Sequence, residues 1–283
     1  MSEFQSKFFR VSDSTGFDYN SAEVKKLLDR ILVEQAQFIR VDSAGFKKTD
    51  VFFNKETSSA ADGKIFLWLK PPATADVLLE EIELLHRHEL THILIQMRCG
   101  TEFLPVIFWE GIPIHFADNF VRTRLSGNSY HDYCRVFLDK KCLIPMELIQ
   151  LGHNYYGMRQ DFRIDIQAGS FAGFMIEKHG IDKIVDFLRD FQPPVPEKPV
   201  LSINPLCRKF FGMDFKGLES EWNNYLLALP ERAQLRDKFA GKNFPSEIPL
   251  AHKHCRFCYH PFEEGEICPA CKADNRIELI VES

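Results

Sequence analysis

The stretch ELLHRHELTHILIQMRCG, residues 83–100, places three of the chain's ten histidines within seven positions. His88 and His92 stand four residues apart, and Glu89 directly follows the first of them. On an α-helix, positions four apart lie one turn above each other on the same face, so two imidazoles there can share one ion. The pattern marks a candidate catalytic zinc site, with the glutamate beside the ion as general base. Leu78, Ile82, Leu85, His88, Glu89, His92 and Ile95 recur at steps of three or four, which predicts a helix whose histidines continue the face that the leucines bury. Thr74 or Asp76 can cap this helix and Gly100 provides its stop. His86 lies about 200° round from His88 and is expected to face away, as a surface or packing residue.

A catalytic zinc ion takes three protein ligands and leaves one position for water. Two come from the helix turn, and the third must come from elsewhere in the chain. One large class of zinc hydrolases takes a glutamate from a following helix. Glu110 fits that role, with 17 residues between it and His92 and a second helix predicted to start around it in IFWEGIPIHFADNFV (107–121). His115 is the alternative third ligand. Asp118 is either a partner that orients a ligand imidazole or an ordinary exposed acid.

Upstream, Phe8 to Val11 is a short apolar run and Ser21 to Ile39 has helical periodicity. Thr49 to Asn54 and Lys64 to Lys70 read as a hairpin-like pair of strands around the loop KETSSAADG. Downstream, DIQAGSFAGFMIEKHGIDKIVDFLRDF predicts a helix from Asp165 that breaks at Gly180. The five prolines of 192–205 exclude regular structure there. GLESEWNNYLLALPE is a last helix, ending near Pro230. The expected class is α+β, with a small mixed sheet first and mostly helices after the histidine-bearing one. Residues 1–230 form the main domain, 231–250 a linker and 251–283 a small module.

That module contains Cys255, Cys258, Cys268 and Cys271, two CxxC pairs whose four thiolates close a tetrahedral structural zinc site. About thirty residues cannot build an adequate core, so metal binding supplies the folding energy. Between Leu250 and Ser283, four basic residues stand against six acidic ones, which argues against an unspecific phosphate grip. Docking of a protein partner, recruitment of substrate and covering of the active-site cleft all stay open for this module. The whole chain carries a net charge of −5, so nucleic acid and anionic membranes are not expected as main partners. No secretory pattern opens the sequence, no apolar run reaches membrane-spanning length, and the other four cysteines are scattered. A reducing cytoplasm is the expected compartment.

HELTH (88–92), the Trp109-Glu110-Gly111 segment and Gln167-Ala168-Gly169-Ser170-Phe171 together resemble the gluzincin metallopeptidases, the superfamily of thermolysin and the aminopeptidases. The similarity is to its peptidase MA-like branch and covers roughly residues 45–228. It implies a zincin-like fold with zinc on His88, His92 and Glu110, and Glu89 as base. It also implies peptide hydrolysis, with extended substrate held at a sheet edge formed by Lys64 to Lys70. Members of this branch often carry an oxyanion-stabilising tyrosine just before the Q-A-G-S helix, where this chain has Asp165. Tyr155 and Tyr156 are the nearest tyrosines and the candidate replacements; His153 and Arg163 are further ones. Two other readings compete. One is a zincin-fold module that binds peptide without turnover. The other is a SprT-like protease acting on DNA-associated proteins, which requires a third histidine ligand and a basic face.

Overall fold

Alternation sets the sheet. In FRVSD (9–13), TDVFFN (49–54) and KIFLW (64–68), every second side chain is buried, as a strand with one covered face requires. The computed structural model describes residues 2–17, 19–55, 58–61, 63–71, 74–100, 105–121, 127–149, 161–191, 203–241, 253–254 and 261–262. The architecture is mixed α+β. The chain divides into two units, residues 1–100 with 116–127 and residues 101–115 with 128–283.

The first unit holds a five-stranded sheet of β1 (Ser2–Gln5), β2 (Phe9–Asp13), β3 (Thr49–Asn54), β4 (Ser59–Ala61) and β5 (Lys64–Trp68). Its order is β1-β2-β3-β5-β4. β2, β3 and β5 run parallel, while β1 and β4 are antiparallel additions at the two edges. Two expectations are corrected here. β3 and β5 are neighbours, but parallel rather than a hairpin, because the segment between them turns back as β4 along the far side of β5. Consequently β5 is not an edge strand; β4 is.

Phe9, Val11, Val51, Phe53, Ile65 and Leu67 cover the inner face and are at most 1% exposed. The outer face carries the Arg10–Asp50 ion pair and the stacked rings of Phe52 and Phe66. α1 (Ser21–Ile39) begins at the Asn20 cap and buries Val24, Leu28, Ile31, Leu32 and Ile39. Its Asp29 carboxylate accepts from the Ser6 hydroxyl and from the Lys7 and Phe8 backbone N–H groups. That tether fixes the β1–β2 turn to the helix. α2 (Ala75–Cys99) starts at the Thr74 hydroxyl and stops at Gly100, whose φ of 70° favours glycine.

The second unit is helical: the start of α3 (Val106–Val121), then α4 (Tyr130–Asp139), α5 (Met146–Ile149), α6 (Arg163–His179), α7 (Ile181–Asp190), α8 (Asn204–Phe211), α9 (Phe215–Ala228) and α10 (Ala233–Lys238). α6 is its axis, buried along most of its length from Arg163 to Ile176. Phe171 meets Phe108, Phe215 and the fully buried Trp222. α10 falls within the first residues of the expected linker. Leu235 is buried, and so is Phe239, which sits against Tyr133, Phe137 and Phe162. Further on, Lys253–His254 pairs antiparallel with Pro261–Phe262. No helix among the described residues is long and apolar enough to cross a membrane.

Two carboxylates of this unit tie stability to pH. Burial alone raises the Asp161 and Asp132 pKa values. The Arg163 guanidinium and backbone N–H outweigh it at Asp161, and Ser129 and Arg232 outweigh it at Asp132, so both finish below the usual carboxylate range. A folded pKa below the unfolded one contributes stability that is complete above the unfolded value, about 4, and lost as pH falls through the folded one. Burial also depresses His86 of α2, whose folded pKa of about 3 lies below the ordinary imidazole value. Urea unfolding midpoints should therefore decline from about pH 6.5 downward and fall more steeply below about pH 4, where the two carboxylates add to the loss. Asp161→Asn should make that acid decline shallower. An equally steep decline in the variant would remove Asp161 from the explanation.

Candidate metal centre

One turn of α2 brings two imidazoles together. The Nε2 atoms of His88 and His92 are 3.2 Å apart, with ring centroids at 4.9 Å. Two donors on a tetrahedral ion with bonds of about 2.0–2.1 Å are separated by roughly 3.3–3.4 Å, so the spacing fits a shared zinc ion. His92 is 5% exposed, Glu89 6% and Glu110 6%; His88 is half-buried. One donor atom from each of His88, His92 and Glu110 lies within 4.8 Å of the others. Among the described residues this is the single group of three such side chains that converge in this way.

The orientation of Glu110 follows from how α3 meets α6. Gly111 lies so close to α6 that a Cβ there would stand 2.5 Å from the Ala168 carbonyl oxygen. A Cβ at Gly169 would strike Ile114, and one at Gly173 would stand 2.5 Å from His115 Nδ1. Gly111, Ile114 and His115 therefore form the face of α3 that α6 receives. His115, five residues past Glu110, is turned about 140° from it. This overturns His115 as the alternative third ligand: its ring is seated over Gly173, and its charge acts on Glu177.

The Q-A-G-S-F segment has a distinct structural task at each position. Gln167 accepts from the Ile144 N–H and donates to the Ile144 carbonyl. Ala168 and Gly169 admit α3. Ser170 Oγ accepts from Trp222 Nε1 and lies 2.8 Å from His131 Nδ1. The indole donates to this hydroxyl, and Nε2 of the His131 ring lies 3.7 Å from the Glu177 carboxylate. His131, helped by Tyr225 and His115, holds the Glu177 carboxyl below its ordinary range. Sequence reading missed this network, which ties α4, α6 and α9 together.

The leucine stripe runs differently from expectation. Leu78, Ile82, His86, Leu90 and Leu94 are all fully buried at steps of four. His86 continues the stripe, its ring 4.9 Å from Phe9 of β2. It is a packing residue and not a surface one. Neither ring nitrogen has a hydrogen-bond partner among the described residues, and burial pushes the pKa down to about 3. His88 and His92 occupy the neighbouring face instead.

Arg163 is committed to Asp161 and to the Cys142 carbonyl. Asp165 lies on the first turn of α6. Tyr155, Tyr156, His153, Cys255, Cys258, Cys268 and Cys271 lie outside the described residues, as does the Asp118 side chain. Sequence reading also passed over Gln35, buried on the apolar side of α1. Its signal was present: a glutamine where the stripe Leu28, Ile31, Leu32, Ile39 calls for an apolar residue. No protein-family model matches the chain, and comparison with curated proteins gives no match either.

Proposed function

We propose that the protein is a zinc-dependent peptidase with His88, His92 and Glu110 as metal ligands and Glu89 as general base. The convergence of those three donors carries the reading. Two neutral imidazoles and a carboxylate are the donor set of a catalytic zinc site with an open position. When bound, the ion lowers the pKa of its water from 15.7 to about 7 and polarises a carbonyl. Glu89 directly follows His88 on α2 and is buried, which supports it as the base of this centre, outside the three donors. It takes the proton of the attacking water and passes it to the leaving amine. Extended substrate is held by backbone pairing along β4, which lies beyond β5 at the end of the sheet order.

A second zinc ion, structural, is assigned to Cys255, Cys258, Cys268 and Cys271. The antiparallel pairing of 253–254 with 261–262 supports it by bracketing the first CxxC pair. The four other cysteines, Cys99, Cys134, Cys142 and Cys207, form no disulfide with one another, which suits a reducing cytoplasm.

Elemental analysis of the full chain, with an unstructured protein such as casein as substrate, tests the reading. We expect two zinc ions per chain, one after His92→Ala or Glu110→Ala, and cleavage that a chelator stops and zinc restores. One zinc per chain, unaltered by His92→Ala, would refute the centre. Two zinc ions without cleavage of any unfolded protein would leave a peptide-binding module in place of a peptidase.

A further inference from the structure

The two histidines of α2 are each preceded by a residue that the same side chain holds. Gln35 of α1 donates from Nε2 to the Arg87 carbonyl oxygen at 2.9 Å and to Thr91 Oγ1, also at 2.9 Å. Arg87 precedes His88, and Thr91 precedes His92. The Arg87 carbonyl belongs to the peptide plane that enters His88, so fixing that oxygen fixes the direction in which His88 leaves the helix. Thr91 Oγ1 donates its hydrogen to the same carbonyl at 2.7 Å, so its lone pairs are what Gln35 meets. A carbonyl oxygen only accepts, which settles which end of the amide faces it. Both amide hydrogens are spent on one helical turn, the turn that spans the two imidazoles.

We infer that Gln35 is a positioning residue: its amide pins both ends of the turn from His88 to His92 and thereby sets the spacing of the two imidazoles. The inference rests on the metal-centre reading and adds the element that tunes it. A role in stability alone fits poorly. Gln35 is 3% exposed, and its Oε1 has no hydrogen-bond partner among the described residues. A buried amide with one end unsatisfied is costly, whereas an apolar side chain of the same length would fill the gap between α1 and α2 without that cost. α1 grips the same turn a second time, through Glu34 on the Arg87 guanidinium at 2.7 Å. That contact is partly exposed and sets orientation more than energy.

The experiment uses the full chain with Gln35→Met, which keeps length and loses both donors, and Thr91→Val, which keeps shape and loses the hydroxyl. Three quantities are read: zinc affinity by chelator competition, the visible spectrum of the cobalt-substituted centre, and urea unfolding of the metal-free chain. Gln35→Met should weaken zinc at the histidine centre about ten- to hundredfold, as loss of a residue supporting a ligand does. It should also alter the cobalt bands and leave metal-free unfolding unchanged or shifted to higher urea. Thr91→Val should act in the same direction, and the double variant should lose less than the product of the two single losses. Unchanged affinity and spectrum, or an affinity loss no larger than the loss of folded protein, would overturn the inference. Amide hydrogen exchange at 88–92 keeps this separate from the metal reading. If the wild-type chain binds no metal through His92, the centre falls, but Gln35→Met must still speed exchange across that turn; unchanged exchange overturns the pinning role by itself.

Discussion

Glu89→Gln is expected to lower peptide hydrolysis by about 10²–10⁴-fold, the contribution of a positioned general base, while both zinc ions remain bound. The substitution is nearly isosteric and swaps one good helix former for another, so α2 should keep its Thr74 cap and its Gly100 stop. His88 and His92 meet at Nε2 through the geometry of the turn, to which the residue 89 side chain contributes no donor. What changes is basicity: an amide cannot take a proton from water at neutral pH. The loss should therefore fall on kcat with little change in KM, the signature of a group that acts in the transition state. Retained hydrolysis would remove Glu89 as base. Loss of zinc along with activity would make it a structural residue of the centre. The Gln35→Met variant should show the opposite pattern, with metal affinity reduced and the base left in place.

What the sequence made legible was local. The extent of α1, 21 to 39, followed from its apolar spacing and was recovered in full. The Thr74 cap and the Gly100 stop of α2 were readable because a hydroxyl before a helix and a glycine after one satisfy end groups with a single residue. The pairing of His88 with His92 needed only one turn. Direction around the helix was harder. A periodic set stepping by three and four drifts, and both His86 and His88 could be threaded onto the leucines. Only the position of Phe9, 77 residues before His86, decides for His86. Sheet order was illegible for the same reason. Nothing in TDVFFN or KIFLW says parallel, and the strand that makes them so, Ser59–Ala61, is three residues long with no alternation to read. The bond from His131 to Ser170 spans 39 positions and the one from Trp222 to Ser170 spans 52. Each residue alone looked ordinary. Gln35 differed: it was visible as an anomaly on an apolar stripe, but its partners were not.

Gly111→Val should be the most damaging small substitution in the second unit, costing about 3 kcal/mol or more of folding free energy. The first atom a Cβ meets there is the Ala168 carbonyl oxygen, at 2.5 Å, with the Ala168 carbonyl carbon and the Ala172 Cβ at 3.0 Å. These belong to the backbone and the first side-chain atom of α6, which cannot rotate away; the whole helix must retreat. α6 in turn is held by Gln167 on Ile144 and by Ser170 between His131 and Trp222, so retreat breaks buried hydrogen bonds as well as packing. Gly173→Ala supplies the contrast. Its Cβ would meet the His115 imidazole, a ring at the end of a rotatable side chain, and alanine gains about 1 kcal/mol over glycine in a helix. That variant should unfold close to wild type in urea. The two glycines look alike in sequence, and the difference lies in whether the opposing atom is backbone or a movable tip. Since Glu110 precedes Gly111, the Gly111→Val shift also carries the proposed third ligand, and the folded fraction of that variant should hold zinc at the histidine centre more weakly than wild type. Equal urea midpoints for Gly111→Val and wild type would mean that α3 does not approach α6 this closely, and the account of how Glu110 is aimed would go with it.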